Sequence, residues 1–294
     1  MKNEIGILGL GSMGTAMAKH LKKKYKIYGY DIKKNYTLKS SKNFFFVKNL
    51  KEIFLKTNIF IIIVLDEVQC QKIFNAFIDF KKRLKIKKNF TIINCTTVSP
   101  NWVKKIYKKL QKNNFEYIDC PVSGGPKKAI SGKLSLMLSS NKNIFKENLP
   151  LLKNIGNNIY NLGNKIGTGS TVKIINNCLA GIQIISAAEA IMLAKKEKIN
   201  LKKLFEVVNN SSGHSWMFAD RGKRMIEKKY FKPLSRLSIF KKDMKLANKL
   251  RKKHFINLPL TKVALKMYKK GCKQGLENFD DSAVIRLLDK KLVN

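Results

Sequence analysis

The stretch Glu4-Ile-Gly-Ile-Leu-Gly-Leu-Gly-Ser-Met-Gly14 decides the fold of this chain. Its apolar residues 5–8 predict a short buried strand. Gly9, Gly11 and Gly14 then form the G-x-G-x-x-G spacing of a strand-to-helix turn. In a dinucleotide site one glycine permits the tight turn, one lets the backbone approach a pyrophosphate, and one lets the helix pack on the strand. The stretch therefore predicts the start of a dinucleotide-binding fold.

The next elements complete this pattern at the required spacing. A helix predicted for residues 12–24 leads into a strand predicted for residues 26–30, and Asp31 stands at the end of that strand. The helix N-terminus offers N–H groups to the phosphates, and a carboxylate at Asp31 accepts both ribose hydroxyls while repelling a 2′-phosphate. We therefore predict NAD as the cofactor; an ordinary glycine-rich turn beside a surface Asp is the alternative. The predicted contacts here are Gly9, Leu10, Gly11, Ser12, Met13, Gly14 and Asp31.

The 294 residues carry 60 Lys and Arg against 19 Asp and Glu, a formal net charge of +41. So basic a chain suggests a nucleic-acid or acidic-membrane partner. However, only six of the basic residues are Arg, the residue that base and phosphate readers use for its bidentate fork. The lysines are spread along the chain without a basic tail. We interpret them as a solvated surface with no specific nucleic-acid partner, and a binding patch is the alternative.

The five cysteines, at positions 70, 95, 120, 178 and 272, form no C-x-x-C pair and no metal-ligand spacing with the three His. Free thiols fit a reducing cytosol. Glu4 interrupts what would otherwise resemble a signal peptide, and the longest purely apolar run, residues 59–65, is too short to span a bilayer. We expect a cytoplasmic protein with no metal ion and no membrane partner.

Short apolar runs alternate with helical patterns over residues 1–163, which predicts a doubly wound α/β domain of the Rossmann type. Strands are predicted for residues 5–8, 26–30, 43–46, 59–65, 91–94, 116–119, 133–138 and 158–161. Helices are predicted between them for residues 50–55, 67–80, 101–111 and 144–152.

Residues 164–294 predict an all-α second domain for substrate binding and oligomerisation, because no strand pattern returns there. Residues 171–196 contain no proline and predict a single helix of roughly 40 Å. Such a helix is too long for a crossover and suits a long interdomain helix. Further helices are predicted for residues 201–208, 219–228, 240–254, 260–274 and 281–292.

Two loops at the ends of predicted strands are candidate cofactor contacts, because ligands bind at the carboxyl edge of a doubly wound sheet. Cys95-Thr-Thr-Val-Ser-Pro100 follows one strand, and Thr97 offers a hydroxyl there. Val64 and Leu65, at the end of the strand predicted for residues 59–65, are assigned to the same edge. For Thr97 the alternative is a simple N-cap region of the next helix.

The segment Asp119-Cys-Pro-Val-Ser-Gly-Gly125 leaves a strand end as a loop of nearly bare backbone. Successive N–H groups at Ser123, Gly124 and Gly125 can form a concave anion site that suits a carboxylate. We predict that these residues bind the substrate; a simple tight turn is the alternative.

The long predicted helix carries Lys173 and Asn177 one turn apart on the same face. A partly desolvated lysine beside a cofactor can have its pKa lowered enough to act as a base. The amide one turn further on can hold a substrate hydroxyl. We therefore predict Lys173 and Asn177 as catalytic residues, with Asn177 also binding substrate. His214 is interpreted as a hydrogen-bonding loop residue.

Together these motifs resemble the β-hydroxyacid dehydrogenase family, which includes 3-hydroxyisobutyrate and tartronate-semialdehyde enzymes. The resemblance covers nearly the whole chain, and within the family it is greatest to the L-threonate-oxidising members. It rests on Gly9-Leu-Gly-Ser-Met-Gly14, residues 119–125, Gly167-Thr-Gly-Ser-Thr-Val-Lys173-Ile-Ile-Asn-Asn177 and Lys242-Asp243. The features shared with the threonate branch are Leu179-Ala-Gly181, Ala187-Ala-Glu-Ala190, Gly213-His-Ser-Trp-Met-Phe218, Ile239-Phe-Lys-Lys-Asp243 and Asp280-Asp-Ser-Ala-Val-Ile285.

The resemblance implies that Asp31 selects NAD, that Thr97 and Lys242 contact the cofactor, and that Lys173 is the catalytic acid/base. It implies oxidation of a small hydroxy acid, L-threonate to 2-oxo-tetronate first of all, and a homodimer or homotetramer. The alternatives are activity on 3-hydroxyisobutyrate or tartronate semialdehyde, or a non-catalytic nucleic-acid binder on the same fold.

Overall fold

The computed structural model describes residues 4–33 and 38–289. The chain forms two compact units that divide between Lys173 and Ile174. The first unit contains strands and helices, and the second contains helices without a strand in its described residues, 174–289. The predicted domain boundary, between residues 163 and 164, stays a prediction.

A six-stranded parallel sheet forms the centre of the first unit. Its strands are β1 (Glu4–Leu8), β2 (Lys26–Tyr30), β3 (Phe44–Phe46), β4 (Ile59–Ile62), β5 (Phe90–Asn94) and β6 (Phe115–Asp119). They pair in the order β3-β2-β1-β4-β5-β6, so the winding direction reverses between β1 and β4. This order confirms the predicted Rossmann-type doubly wound fold, whose ligands lie at the carboxyl ends of the strands beside that reversal.

Helices cover both faces of the sheet, which explains why β4 is buried along its whole length. The helices are α1 (Ser12–Leu21), α2 (Leu50–Lys56), α3 (Glu67–Arg83), α4 (Pro100–Gln111), α5 (Gly125–Ile130) and α6 (Lys142–Ile155). One face carries an aromatic core in which the rings of Phe54 and Phe90, and of Phe60 and Phe77, have centroids 4.5 Å apart. Each buried ring contributes about 1.5–3 kcal/mol to the free energy of unfolding. The opposite face packs Met17, Leu21 and Leu152.

Two predicted strand features of the first unit differ from the structure, and α5 forms where no helix is predicted. The strand predicted for residues 59–65 ends at Ile62, because the next residues leave the sheet toward the N-cap Asp66 of α3; Val64 and Leu65 therefore lie in a loop. The strands predicted near residues 133–138 and 158–161 form a separate small sheet instead. It consists of β7 (Val122–Ser123), β8 (Ser135–Leu138) and β9 (Asn158–Asn161), with β7 antiparallel to β8.

The described second unit is helical, but two of its predicted α-helices have other geometries. Its α-helices are α7 (Thr168–Lys196, which begins in the first unit), α8 (Leu201–Asn209), α9 (Lys223–Ile226), α10 (Leu237–Lys253) and α11 (Pro259–Lys273). Residues 218–222 form a π-helical turn, whose wider winding accommodates buried Phe218, Arg221 and Gly222 together. Residues 281–287 form a 3-10 helix, and the predicted continuation over residues 290–292 lies outside the described residues.

Helix α7 begins three residues before the helix predicted for residues 171–196, and it is apolar. An 18-residue window of it has a mean hydropathy of 1.5, so by length and composition alone the helix could cross a membrane. Half of that window is buried within the protein, where Ile184, Ala188 and Ile191 belong to the core of the second unit. We therefore interpret α7 as a core helix.

Candidate active site

The loop after β1 packs against the loop after β4 too closely for side chains at two of its glycines. A Cβ at Gly9 would lie 2.2 Å from the carbonyl oxygen of Ile63, and one at Gly14 would lie 1.8 Å from the carbonyl oxygen of Gly9. The N–H of Gly9 donates to the carbonyl of Tyr30 at 2.9 Å. The protein's own packing therefore requires glycine at both positions.

Gly11 differs, because a Cβ there would meet no protein atom within 4 Å. Gly11 is exposed and is the N-cap of α1, whose first turn has no acidic residue and no capping side chain. Ser12, Met13 and Gly14 follow it, and the first N–H groups of a helix have no partner within the helix. Open space, N–H groups and the positive end of the helix dipole together suit a phosphate.

Asp31 lies beside this loop, as its position at the end of β2 predicted. Its Oδ2 accepts a hydrogen bond from the N–H of Leu10 at 2.7 Å, and its Oδ1 accepts one from the N–H of Lys33 at 2.8 Å. These bonds fix a half-exposed carboxylate next to the glycine turn. The role of Asp31 in selecting NAD over NADP stays a prediction.

The loops after β4 and β5 are joined through Thr96, which sequence reasoning passed over in favour of its neighbour. The N–H of Val64 donates to the Thr96 hydroxyl at 3.1 Å, and Thr96 is buried whereas Thr97 is half-buried. The side chain of Val64 lies against Gly9, while Leu65 is exposed. The structure thus brings Val64 to the glycine loop.

The segment at residues 123–125 forms a turn that only glycine adopts readily. Gly124 and Gly125 have positive φ values of +127° and +69°, and they lead from β7 into α5. A Cβ at Gly125 would meet no atom within 4 Å. A tight turn alone would explain both φ values, so the anion-binding role of Ser123, Gly124 and Gly125 stays a prediction.

Lys173 is buried in the second turn of α7, and the start of this helix is held by Asp119. Asp119 Oδ1 accepts from the Ser170 hydroxyl at 2.7 Å, and Oδ2 accepts from the Ser170 N–H at 2.9 Å and the Ser139 hydroxyl at 3.3 Å. Burial raises the pKa of Asp119 to about 6, against the opposing effect of the hydrogen bonds from Ser170. The sequence signal for Asp119 was a carboxylate at a strand end, directly before the turn at residues 123–125.

Asn177 and Lys242 meet at Asp243 in the second unit. The Asn177 Nδ2 donates to Asp243 Oδ2 at 2.7 Å, and its Oδ1 accepts from Asn176. Because a carboxylate only accepts, Asp243 fixes which way the amide of Asn177 faces. The Lys242 Nζ lies 2.9 Å from Asp243 Oδ1, so the two side chains form an ion pair. The angles of this contact are not those of a hydrogen bond, and the buried Oδ1 accepts no hydrogen bond within the described residues.

A buried ionic network joins residues 220–224, which directly follow the segment at residues 213–218, to Asp280 and Asp281. Arg221 donates to both oxygens of Asp281, at 2.8 and 3.0 Å, and also pairs with Asp220. Arg224 links Asp220 to Asp280. Bidentate pairs of this kind fix geometry as well as add energy, so residues 220–224 are held in a fixed position against Asp280 and Asp281.

In the described residues, no cluster of three or more His, Cys, Asp or Glu could hold a metal ion.

Comparison with known proteins agrees with this architecture along the whole chain. A family profile described as the NAD binding domain of 6-phosphogluconate dehydrogenase matches residues 4–163. A second, described as NAD-binding of NADP-dependent 3-hydroxyisobutyrate dehydrogenase, matches residues 167–288.

Individual relatives match between about two thirds and nearly all of the chain. The L-threonate dehydrogenase of Escherichia coli K12 is 32% identical over 286 residues, which are 96% of this chain and 94% of that protein. The L-threonate dehydrogenase of Haemophilus influenzae is 37% identical over 203 residues, 69% of this chain and 67% of that protein. The crystal structure of a 3-hydroxyisobutyrate dehydrogenase from Salmonella typhimurium superposes with a TM-score of 0.85 at 30% identity, covering 97% of this chain and 99% of that one.

Proposed function

The chain belongs to the β-hydroxyacid dehydrogenase family of the 3-hydroxyisobutyrate dehydrogenase type, and we propose that its substrate is L-threonate, oxidised at C2 to 2-oxo-tetronate. It is an NAD-dependent oxidoreductase that acts on the CH–OH group of a small hydroxy acid. The single observation that carries the choice of L-threonate is the similarity, over 96% of the chain, to a protein of that activity.

The residues around the glycine turn fit NAD. The open space over Gly11 and the N–H groups that begin α1 suit its pyrophosphate, and the carboxylate of Asp31 suits its ribose hydroxyls. Val64, Leu65, Thr97 and Lys242 are the further proposed contacts. When bound, NAD supplies the hydride acceptor.

For the reaction itself, we assign to Lys173 the role of the base that accepts the proton of the substrate hydroxyl. Ser123, Gly124 and Gly125 hold the substrate carboxylate, and Asn177 holds the hydroxyl on C2. Neutral Lys173 takes the hydroxyl proton while the C2–H bond breaks with its electron pair leaving as hydride, so that C2 becomes a ketone. A positioned general base of this kind contributes typically about 10²–10⁴-fold to the rate.

We assign the segments at residues 213–218, 239–243 and 280–285, which carry the resemblance to threonate-oxidising relatives, to the part of the substrate beyond C2. A site that hydrogen-bonds hydroxyls rejects analogues that lack them, because its own polar groups are then left unpaired.

The test is a screen for NAD reduction with L-threonate, 3-hydroxyisobutyrate and D-glycerate. We expect L-threonate to exceed 3-hydroxyisobutyrate by at least about 10²-fold in kcat/KM. Comparable rates, or a preference for the branched apolar acid, would reject L-threonate while leaving the family assignment intact.

We also propose that the protein is a homodimer or homotetramer assembled through its helical unit. Ile175, Leu179 and Leu193 on α7 are each more than half exposed, and their spacing puts them along one face of the helix. Sedimentation velocity of the wild type and of Leu179→Lys tests this, since a charge on the face should shift the protein toward monomer.

The described cysteines are all free thiols, which supports the expected cytoplasmic location.

A further inference from the structure

Asp119 connects three parts of the first unit at the point where α7 begins. Its backbone continues from β6 toward Ser123, and it pairs through main-chain hydrogen bonds of 2.9 and 3.1 Å with Ser139, which follows β8. Its carboxylate accepts two hydrogen bonds from Ser170, 51 residues further along the chain.

The use of a carboxylate here is unfavourable for stability. Asp119 is fully buried, and burial of an ionised group is opposed by desolvation. Neutral side chains hold the starts of α2 and α4, where Asn49 accepts from Glu52 and Ser99 accepts from Trp102. The carboxylate that caps α3, Asp66, is only half-buried and so keeps contact with water. A neutral acceptor would satisfy the N–H of Ser170 with less desolvation, so stability alone does not account for an acid at position 119.

The two hydrogen bonds from Ser170 to the Asp119 carboxylate, which together form an anchor, control the position of the first turn of α7. Residues three apart on a helix share a face, so Ser170 and Lys173 are neighbours along α7. The Ser170 hydroxyl and N–H are both bound to one carboxylate, which fixes the rotation and the axial position of that turn. The same carboxylate lies four residues before Ser123, in the segment assigned to the substrate carboxylate.

We propose that Asp119 is a positioning residue for Lys173, anchoring the first turn of α7 to the strand end that leads into the substrate-binding turn. The proposal rests on the proposed role of Lys173 as the base. Misplacement of a reacting group by about 1 Å can lower a rate about 10²-fold, so loss of the anchor should act on kcat more than on binding of the cofactor.

The experiment compares Asp119→Ala, which removes the anchor, with Asp119→Asn, which keeps an acceptor for the Ser170 N–H. Asn49→Ala is the matched control, since it removes a cap from another helix of the same unit. With the hydroxy acid that the wild type oxidises fastest, we expect kcat of Asp119→Ala to fall about 10- to 100-fold. Asp119→Asn should retain kcat within about threefold and Asn49→Ala within about twofold, and NADH affinity, measured by fluorescence, should stay within about twofold in all three.

Ser170→Ala guards against failure of Asp119→Ala to fold, because it removes only one of the hydrogen bonds to the carboxylate. If the two residues act as one anchor, the double variant Asp119→Ala/Ser170→Ala should lose no more than Asp119→Ala alone. Hydrogen exchange of amides 170–173 supplies a readout that needs no turnover. We expect faster exchange there in Asp119→Ala and in Ser170→Ala, and unchanged exchange in α1.

Three results would overturn the proposal: a folded Asp119→Ala with kcat within twofold of wild type, equal loss of kcat in Asp119→Asn and Asp119→Ala, or unchanged exchange at residues 170–173. A wild type that oxidises none of the hydroxy acids would instead reject the proposed function, and the exchange measurement would still decide whether Asp119 anchors α7.

Discussion

The substitution Gly11→Ala tests whether Gly11 is needed for ligand binding, whereas Gly9 and Gly14 are needed for the fold itself. At Gly11 a Cβ would meet no protein atom within 4 Å, and the backbone φ of −66° suits an L side chain. Replacing glycine by alanine at a compatible site raises the free energy of unfolding by about 0.4–1 kcal/mol, while the poorer N-cap lowers it by a similar amount. The stability of the protein should therefore stay within about 1 kcal/mol of wild type.

The affinity for the cofactor, in contrast to the stability, should fall in Gly11→Ala. If the pyrophosphate lies over Gly11, a methyl group pushes it away and removes at least one hydrogen bond between a phosphate oxygen and an N–H of α1. A hydrogen bond to a charged group is worth about 1.5–3 kcal/mol, which corresponds to a rise in Kd of about 10- to 150-fold.

The assay is a fluorescence titration with NADH alongside urea denaturation. Gly14→Ala is the contrasting variant, because its Cβ would lie 1.8 Å from the carbonyl oxygen of Gly9; it should lose about 1–3 kcal/mol of stability or more. A folded Gly11→Ala protein that binds NADH within threefold of wild type would refute the placement of the pyrophosphate.

Four further predictions follow from the charges of the site and surface. Asp31→Arg should narrow or reverse the preference for NAD over NADP, and equal kcat/KM for the two cofactors in the unmutated protein would contradict the role of Asp31. Lys173→Met should lower kcat by about 10²–10⁴-fold with NADH binding nearly unchanged; a variant that retains most of its kcat would mean that another group is the base. Because burial raises the pKa of Asp119 to about 6, the folded protein binds this proton more tightly than the unfolded chain does. The resulting stabilisation is complete below about pH 4 and is lost as the pH rises through about 6. Over that window, Asp119→Asn should therefore gain up to about 3 kcal/mol of unfolding free energy relative to wild type. Urea denaturation of both proteins at pH 4 and 7.5 checks this, and the same stability difference between them at both pH values would contradict it. Binding to duplex DNA should be weak and should disappear at moderate salt, because counterion release would be its only driving force; tight, sequence-selective binding at physiological salt would favour the nucleic-acid alternative.

Some of the candidate site was accessible to sequence reasoning because its function depends on neighbours along the chain. The glycine turn and Asp31 directly follow strands of the parallel sheet, and the turn at residues 123–125 begins four residues after β6 ends; strand ends in a parallel sheet share one edge. The sequence does not distinguish Thr96 from Thr97, because the choice depends on which hydroxyl points toward Val64, and adjacent residues near a strand end point in different directions. Local patterns do not single out Asp243 and Asp119, since their hydrogen-bond partners lie 66 and 51 residues away.

The sequence by itself determined the Rossmann-type unit, the long helix α7 and the place of the cofactor turn, because these follow from local patterns of apolar residues and glycine. Only the tertiary structure decided that the later strands form a separate sheet, that residues 218–222 wind as a π-helix, and that Asp119 holds Ser170. Each of these depends on contacts between residues far apart in sequence. Strand pairing, helix winding against a buried Arg221 and the partner of a buried carboxylate are set by packing and desolvation, which no local pattern encodes.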